Sequence, residues 1–270
     1  MLPLVLPVIF LLSWQLSAIN MDNAMVLPRI DAVLTILLRP TDNLLGIGSL
    51  LTNTFVSIVR VLLGYTLAAL VAIPLGMVIG YSRLSEKMLL PFINLFRPIA
   101  PLAWVPLVLA WFGISSLATI FAVNNVKLYV MLNNIKLSML FIIFIGGFFP
   151  ILTNSIHGVK SAKKIFIDAS LTCGADKKDV FIKVLLPSSL PSIVTGLRVG
   201  LGVAWMCLVS AEMLPGSLAG VGYLITHAYT VGRTDVVLAG MIAISCVGGL
   251  FDYLYQKLEK KHFKWQSMER

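Results

Sequence analysis

The stretch "TNTFVSIVRVLLGYTLAALVAIPLGMVIG", residues 52–80, carries a single charged residue, Arg60. A helix crossing a bilayer needs about 20 mostly apolar residues, because the hydrocarbon layer is about 30 Å thick and each residue advances about 1.5 Å. Further apolar segments fall near 2–19, 89–113, 116–156, 190–213 and 236–256. The chain of 270 residues is 58% hydrophobic and 12% charged, with mean hydropathy +0.93. A soluble domain has about a quarter of its residues charged, so this much apolar surface points to lipid as the solvent. The apolar runs are continuous rather than alternating, which excludes a membrane barrel. The expected fold is all-α: a single polytopic transmembrane bundle over residues 1–270 with about six spanning helices.

The opening "MLPLVLPVIFLLSWQLSAIN" lacks the basic start and the small-x-small cleavage site of a signal peptide. Residues 1–51 are read as a first helix, Leu2–Ile19, and an outer segment, and residues 52–256 as the core helices. The net charge of +9 is not gathered into an aromatic-interleaved patch, so no nucleic-acid partner is expected. Its basic residues lie at the ends of the apolar segments. With residues 157–189 on the inner side, that side holds thirteen Lys and Arg, including the tail 257–270, against Arg29, Arg39 and Arg233 outside. This bias places both termini in the cytoplasm of a plasma-membrane protein. Cys173, Cys207 and Cys246 are scattered and suggest neither a disulfide framework nor a metal site.

Two small-xxx-small patterns, Gly76/Gly80 in "GMVIG" and Gly196/Gly200 in "GLRVG", mark close helix packing. The segment 116–156 is twice the length of one span. Within it Asn124-Asn125-Val126-Lys127-Leu128 recurs as Asn133-Asn134-Ile135-Lys136-Leu137. Residues 122–140 are read as an atypical insertion, a local duplication extending or decorating the outer end of the fourth helix.

The charged interruption at 158–189 has the pattern of an elbow. A first helix is expected over Ile165–Cys173, with Gly174 at its left-handed end. A second is expected from about Asp176 to Leu185, opened by Asp176 and Asp179 and ended by Pro187 and Pro191. The run Asp168-Ala169-Ser170, three residues, Gly174, nine residues, Val184-Leu185-Leu186-Pro187 resembles the Glu-Ala-Ala…Gly…Ile-x-Leu-Pro signature of membrane subunits of ATP-binding-cassette importers. Asp replaces Glu and Ser replaces the second Ala. The runs 97–114, 148–161, 196–214 and 220–244 resemble the nitrate/sulfonate/taurine/bicarbonate branch of that family.

This resemblance implies that the elbow is a coupling helix for a separate cytoplasmic ATPase, with Asp168, Ala169, Ser170, Gly174, Ala175, Leu186 and Pro187 at the contact. It implies a second permease copy, an extracytoplasmic solute-binding protein and a small-anion substrate. The alternatives are a vitamin precursor or other small organic solute, or an ATP-independent secondary transporter. No G-x-x-x-x-G-K-[ST] occurs, so no cofactor is expected on this chain; ATP and magnesium belong to the partner, and the chain itself is not expected to be an enzyme. Ionisable residues inside a membrane are costly and are therefore functional candidates. The candidates for the translocation pathway are Arg60, Arg97, Trp104, Arg198, Met206 and Glu212, with Arg60 and Glu212 placed toward the outer side as a possible ion pair.

Overall fold

The computed structural model describes residues 2–121, 125–214 and 216–262. Thirteen α-helices lie among them: α1 (Leu2–Met21), α2 (Ile30–Leu38), α3 (Leu50–Tyr81), α4 (Arg83–Phe96), α5 (Val105–Phe112), α6 (Leu117–Ile120), α7 (Val126–Asn133), α8 (Leu137–Lys160), α9 (Lys164–Thr172), α10 (Lys177–Val180), α11 (Leu186–Glu212), α12 (Val221–Thr230) and α13 (Thr234–His262). Four are long and apolar enough to cross a membrane: α3, α8, the helix 177–212 that ends in α11, and α13. About six spans were expected; by length and apolar composition the described residues hold these four, or five if the bent pair α4 and 101–112 is one crossing, with a shorter apolar helix over Val8–Met21 in α1.

Contacts along the helices give their directions. A side chain built at Gly64 would strike Ile143, at Gly76 Ser155 and at Gly80 Val159. The register is constant, so α3 and α8 run parallel. The pairs Gly146–Cys207, Gly200–Ile151 and Gly196–Asn154 run in opposite senses, so α8 and α11 are antiparallel. A Cβ at Gly76 would stand 2.6 Å from Ser155 Cβ, and one at Gly196 2.6 Å from Asn154 Cβ. In lipid no hydrophobic gain draws helices together, so this backbone proximity supplies the dispersion contact that does. Both glycine patterns read from the sequence are thus packing devices. Their surroundings form the main core, with Val61, Ala68, Ile143, Ile151, Leu152, Ala204 and Leu208 buried.

Two parallel neighbours require the chain to return between them. The return is α4, a 3-10 turn (Pro101–Trp104) and α5, bent by 85° at residues 97–100. Residues 89–113 were expected to be one straight span. Pro98 and Pro101 remove two amide donors, and Ala100 is held extended (ψ 134) ahead of Pro101, so the helix cannot continue.

The segment 116–156 also differs from the expected single extended helix. Ser116 and Lys136 form an isolated antiparallel bridge, with Leu117 N–H donating to Ile135 O and Leu137 N–H to Ser115 O. The chain therefore leaves and re-enters at one point, and α6 and α7 lie on an excursion closed at its base. Part of the expected insertion, 122–124, lies outside the described residues. Its far end is not decoration: Ile135, Lys136, Ser138, Met139 and Leu140 are buried.

Candidate functional site

The elbow lies at the end of the bundle where α3 and α8 finish. Helix α9 ends in a Schellman turn: Gly174 has φ +85, its N–H donates to Leu171 O, and Ala175 N–H donates to Ser170 O. Only glycine adopts that conformation without cost. Asp176 caps the following helix by accepting from Asp179 N–H at 2.7 Å, and Lys183 pairs with Asp179 at 2.6 Å.

The second helix does not stop at Pro187 as its prolines suggested. Residues Phe181–Leu185 take a π-helical turn, in which Leu186 N–H bonds to Phe181 O, and the chain runs unbroken from Lys177 to Glu212. The wider turn makes room for the proline rings, and Ser188 Oγ donates to the Val184 carbonyl at 2.7 Å. The second helix of the elbow is therefore continuous with α11.

Its inner face is anchored. Val180 and Leu185 are buried in a cluster with Met77 of α3, Val159 of α8 and Ile193 of α11, and Tyr81 meets Phe181 edge-on at 5.5 Å. The Lys160–Glu86 pair, 2.5 Å, holds the start of α4 at this same end. Its outer face is bare. Ile165, Phe166 and Leu171 are exposed, as are Asp168, Ala169, Gly174 and Pro187, while Ser170, Ala175 and Leu186 are half-buried. A groove of about 660 Å³ runs between α9 and the start of α11, lined by Phe166, Ala169, Ser170, Ala175, Val184 and Pro187. The Asp168 carboxylate has no ion pair among the described residues.

At the opposite end lies a buried polar knot. Arg60 Nη1 donates to Glu212 Oε1 at 2.6 Å and to Ala219 O at 2.7 Å, and Arg60 Nε donates to Asn134 O at 2.8 Å. Ser57 Oγ lies 2.9 and 2.8 Å from the two carboxylate oxygens, and Gly222 N–H donates to Oε2 at 3.0 Å. Gly220 has φ +113, and any Cβ there would overlap the carboxylate. The knot ties α3, α11, the N-terminus of α12 and the base of the α6–α7 excursion. Arg60 and Glu212 are the pair the sequence suggested, but at 1% and 0% exposure they present no charge to a surface.

The remaining candidates fall elsewhere. Arg97 is exposed at the break after α4. Trp104, in the 3-10 turn, packs against Phe96 and Phe141, and its indole N–H is buried without an acceptor among the described residues. Met206 is 72% exposed on α11, on the face that also shows Val199. Arg198 pairs with Asp252 at 2.6 Å and Glu259 at 3.3 Å of α13. Those two acids were not singled out from the sequence. Their positions on α13 become meaningful only once its antiparallel register against α11 is known.

The family described as "binding-protein-dependent transport system inner membrane component" matches residues 72–264. The chain belongs to this family. A Methanocaldococcus jannaschii protein described as an ABC transporter permease is 49% identical, the match covering 97% of this chain and 91% of the relative. The taurine transport system permease protein of Escherichia coli is 31% identical over 97% of this chain and 88% of its own. The bicarbonate transport system permease protein of Synechocystis is 32% identical over 93% and 84%. In fold, the chain matches an inward-facing structure of the MetNI methionine ABC transporter, with TM-score 0.64, 14% identity, and coverage of 78% of this chain and 95% of that one. The protein is a membrane permease subunit of the ABC importer class.

Proposed function

We propose that two copies of this chain form a translocation pathway for a small anion of the sulfonate, taurine, bicarbonate or nitrate type, and that the elbow docks on a cytoplasmic ATPase. The observation that carries this reading is the elbow's two-sidedness. Its inner face is sealed to α3 and α8, and its outer face exposes an apolar rim, a groove and a carboxylate with no ion pair among the described residues. Exposed contiguous apolar surface on a polar segment marks a docking surface. Because residues 177–212 form one helix, displacement of the elbow moves α11 as a lever, which suits two-state alternation of access.

ATP and magnesium bind and react on the ATPase. An external binding protein delivers substrate, and lipid surrounds the bundle. Both termini and the elbow lie in the cytoplasm. The break at Arg97 supports a place for Arg97 and Trp104 along the pathway, since irregular backbone at membrane depth persists only where protein or a cavity covers it. Met206 and Arg198 are further pathway candidates on α11, whereas Arg60 and Glu212 act as a fixed clamp.

The test is the assembled transporter carrying Gly174→Val. A β-branched residue at φ +85 is strained, so α9 must reorient. Transport and substrate-stimulated ATP hydrolysis are expected to fall at least tenfold while the bundle's melting temperature stays within a few degrees. Wild-type coupling in that variant refutes the docking assignment. Ligand binding by the external partner, measured calorimetrically across the four anions, identifies the substrate.

A further inference from the structure

Lys136, the residue that precedes α8, is 9% exposed, and its ammonium has no hydrogen bond or ion pair among the described residues. Ser138, two residues further on, is 5% exposed, and its hydroxyl has no hydrogen bond among the described residues. Both line one small cavity between α5, α8 and the segment after α11, with room for about 20 Å³ of solvent-sized occupant. That is the space of one water-sized sphere. The cavity floor is open beside the ammonium because Gly216 lacks a side chain: a Cβ there would sit 3.7 Å from Lys136 Nζ.

Both oxygens of Glu212 are occupied by Arg60, Ser57 and Gly222. Lys136 adds a second positive charge beside Arg60, whose own charge Glu212 offsets. Burial, and after it the charge of Arg60, hold Lys136 below the ordinary lysine range. A buried charge without a partner is strongly unfavourable. The geometry also supplies more than the ammonium. Leu137 N–H is taken by Ser115 O and Leu140 N–H by Lys136 O, so the positive end of α8 offers the N–H groups of Ser138 and Met139 on the side of the serine hydroxyl.

We propose that Lys136, Ser138 and the N-terminus of α8 bind a single monatomic inorganic anion of the halide class. The cavity is too small for a sulfonate or taurine, so this ion is distinct from the cargo. It offsets the Lys136 charge beside the Arg60–Glu212 knot and bridges α8 and α5. The proposal does not depend on the substrate or on ATPase docking.

The experiment is thermal unfolding of the purified transporter in sodium bromide or chloride against sodium gluconate at equal ionic strength. Wild type is expected to melt several degrees higher in halide, following the free energy of selective binding to the folded state. Lys136→Met is expected to lose the halide dependence and to melt in gluconate no lower than wild type does. Equal wild-type midpoints in the two salts, or an undiminished halide shift in Lys136→Met, overturn the proposal. Anomalous scattering from wild-type crystals grown in bromide needs no variant: a peak beside Lys136 Nζ supports the site, and its absence overturns it.

Discussion

Replacing Arg60 with methionine isolates the polar knot at the outer end of the bundle. The methionine keeps most of the stem volume and removes three charge-assisted hydrogen bonds of 2.6, 2.7 and 2.8 Å. Each such bond contributes about 1.5–3 kcal/mol. Their sum overstates the loss, because Glu212 keeps Ser57 and Gly222 as donors and water can reach the freed Asn134 carbonyl at the excursion's base. Breaking one partner of a buried pair costs about 3–5 kcal/mol, which sets the scale. At about 2–4 °C per kcal/mol for a domain of this size, the melting temperature should fall by about 10 °C. The assay is thermal unfolding in detergent, followed by tryptophan fluorescence.

The paired control is Arg60→Met with Glu212→Met, which removes both charges and is expected to recover at least half the loss. A reversed pair, Arg60→Glu with Glu212→Arg, is expected not to recover, because Ser57 and Gly222 would then point donors at a guanidinium. Arg60→Met melting within 2 °C of wild type refutes the reasoning, as does recovery by the reversed pair alone.

Other substitutions separate packing from surface. Gly76→Leu should lower the melting temperature by about 5 °C or more, since its side chain meets Ser155 and the Leu152 carbonyl at the α3–α8 crossing. Gly202→Leu has open space around it and should leave the isolated chain's melting unchanged; a matching loss would contradict the crossing geometry. Arg198→Gln should cost only about 1 kcal/mol, read as a drop of a few degrees, because Arg198 and Asp252 are partly exposed; a drop as large as that of Arg60→Met would count against the contrast between the two ion-pair sites.

Much of this protein was legible one segment at a time. Helices α3, α11 and α13 follow from apolar length alone, because a span's requirement is local, whereas the start of α8 was hidden inside the longer apolar run 116–156. The Schellman turn at Gly174 and the cap at Asp176 were equally readable, since each is decided within about six residues. Prolines misled at both ends of the scale. Pro187 was read as a stop, but a π-turn absorbed it; Pro98 and Pro101 sat unremarked in an apolar run, yet broke it by 85°.

Composition determined that the chain lives in lipid, and spacing determined where its elbow turns. Tertiary structure alone decided which faces of those helices meet. The parallel packing of α3 on α8, together with the antiparallel packing of α11 on α8, places Arg60 beside Glu212, 152 residues away in sequence. The antiparallel register of α13 against α11 sets Asp252 beside Arg198. A charge in an apolar run advertises its cost from the sequence; the partner that offsets that cost is fixed by helix direction and rotation, which only packing sets.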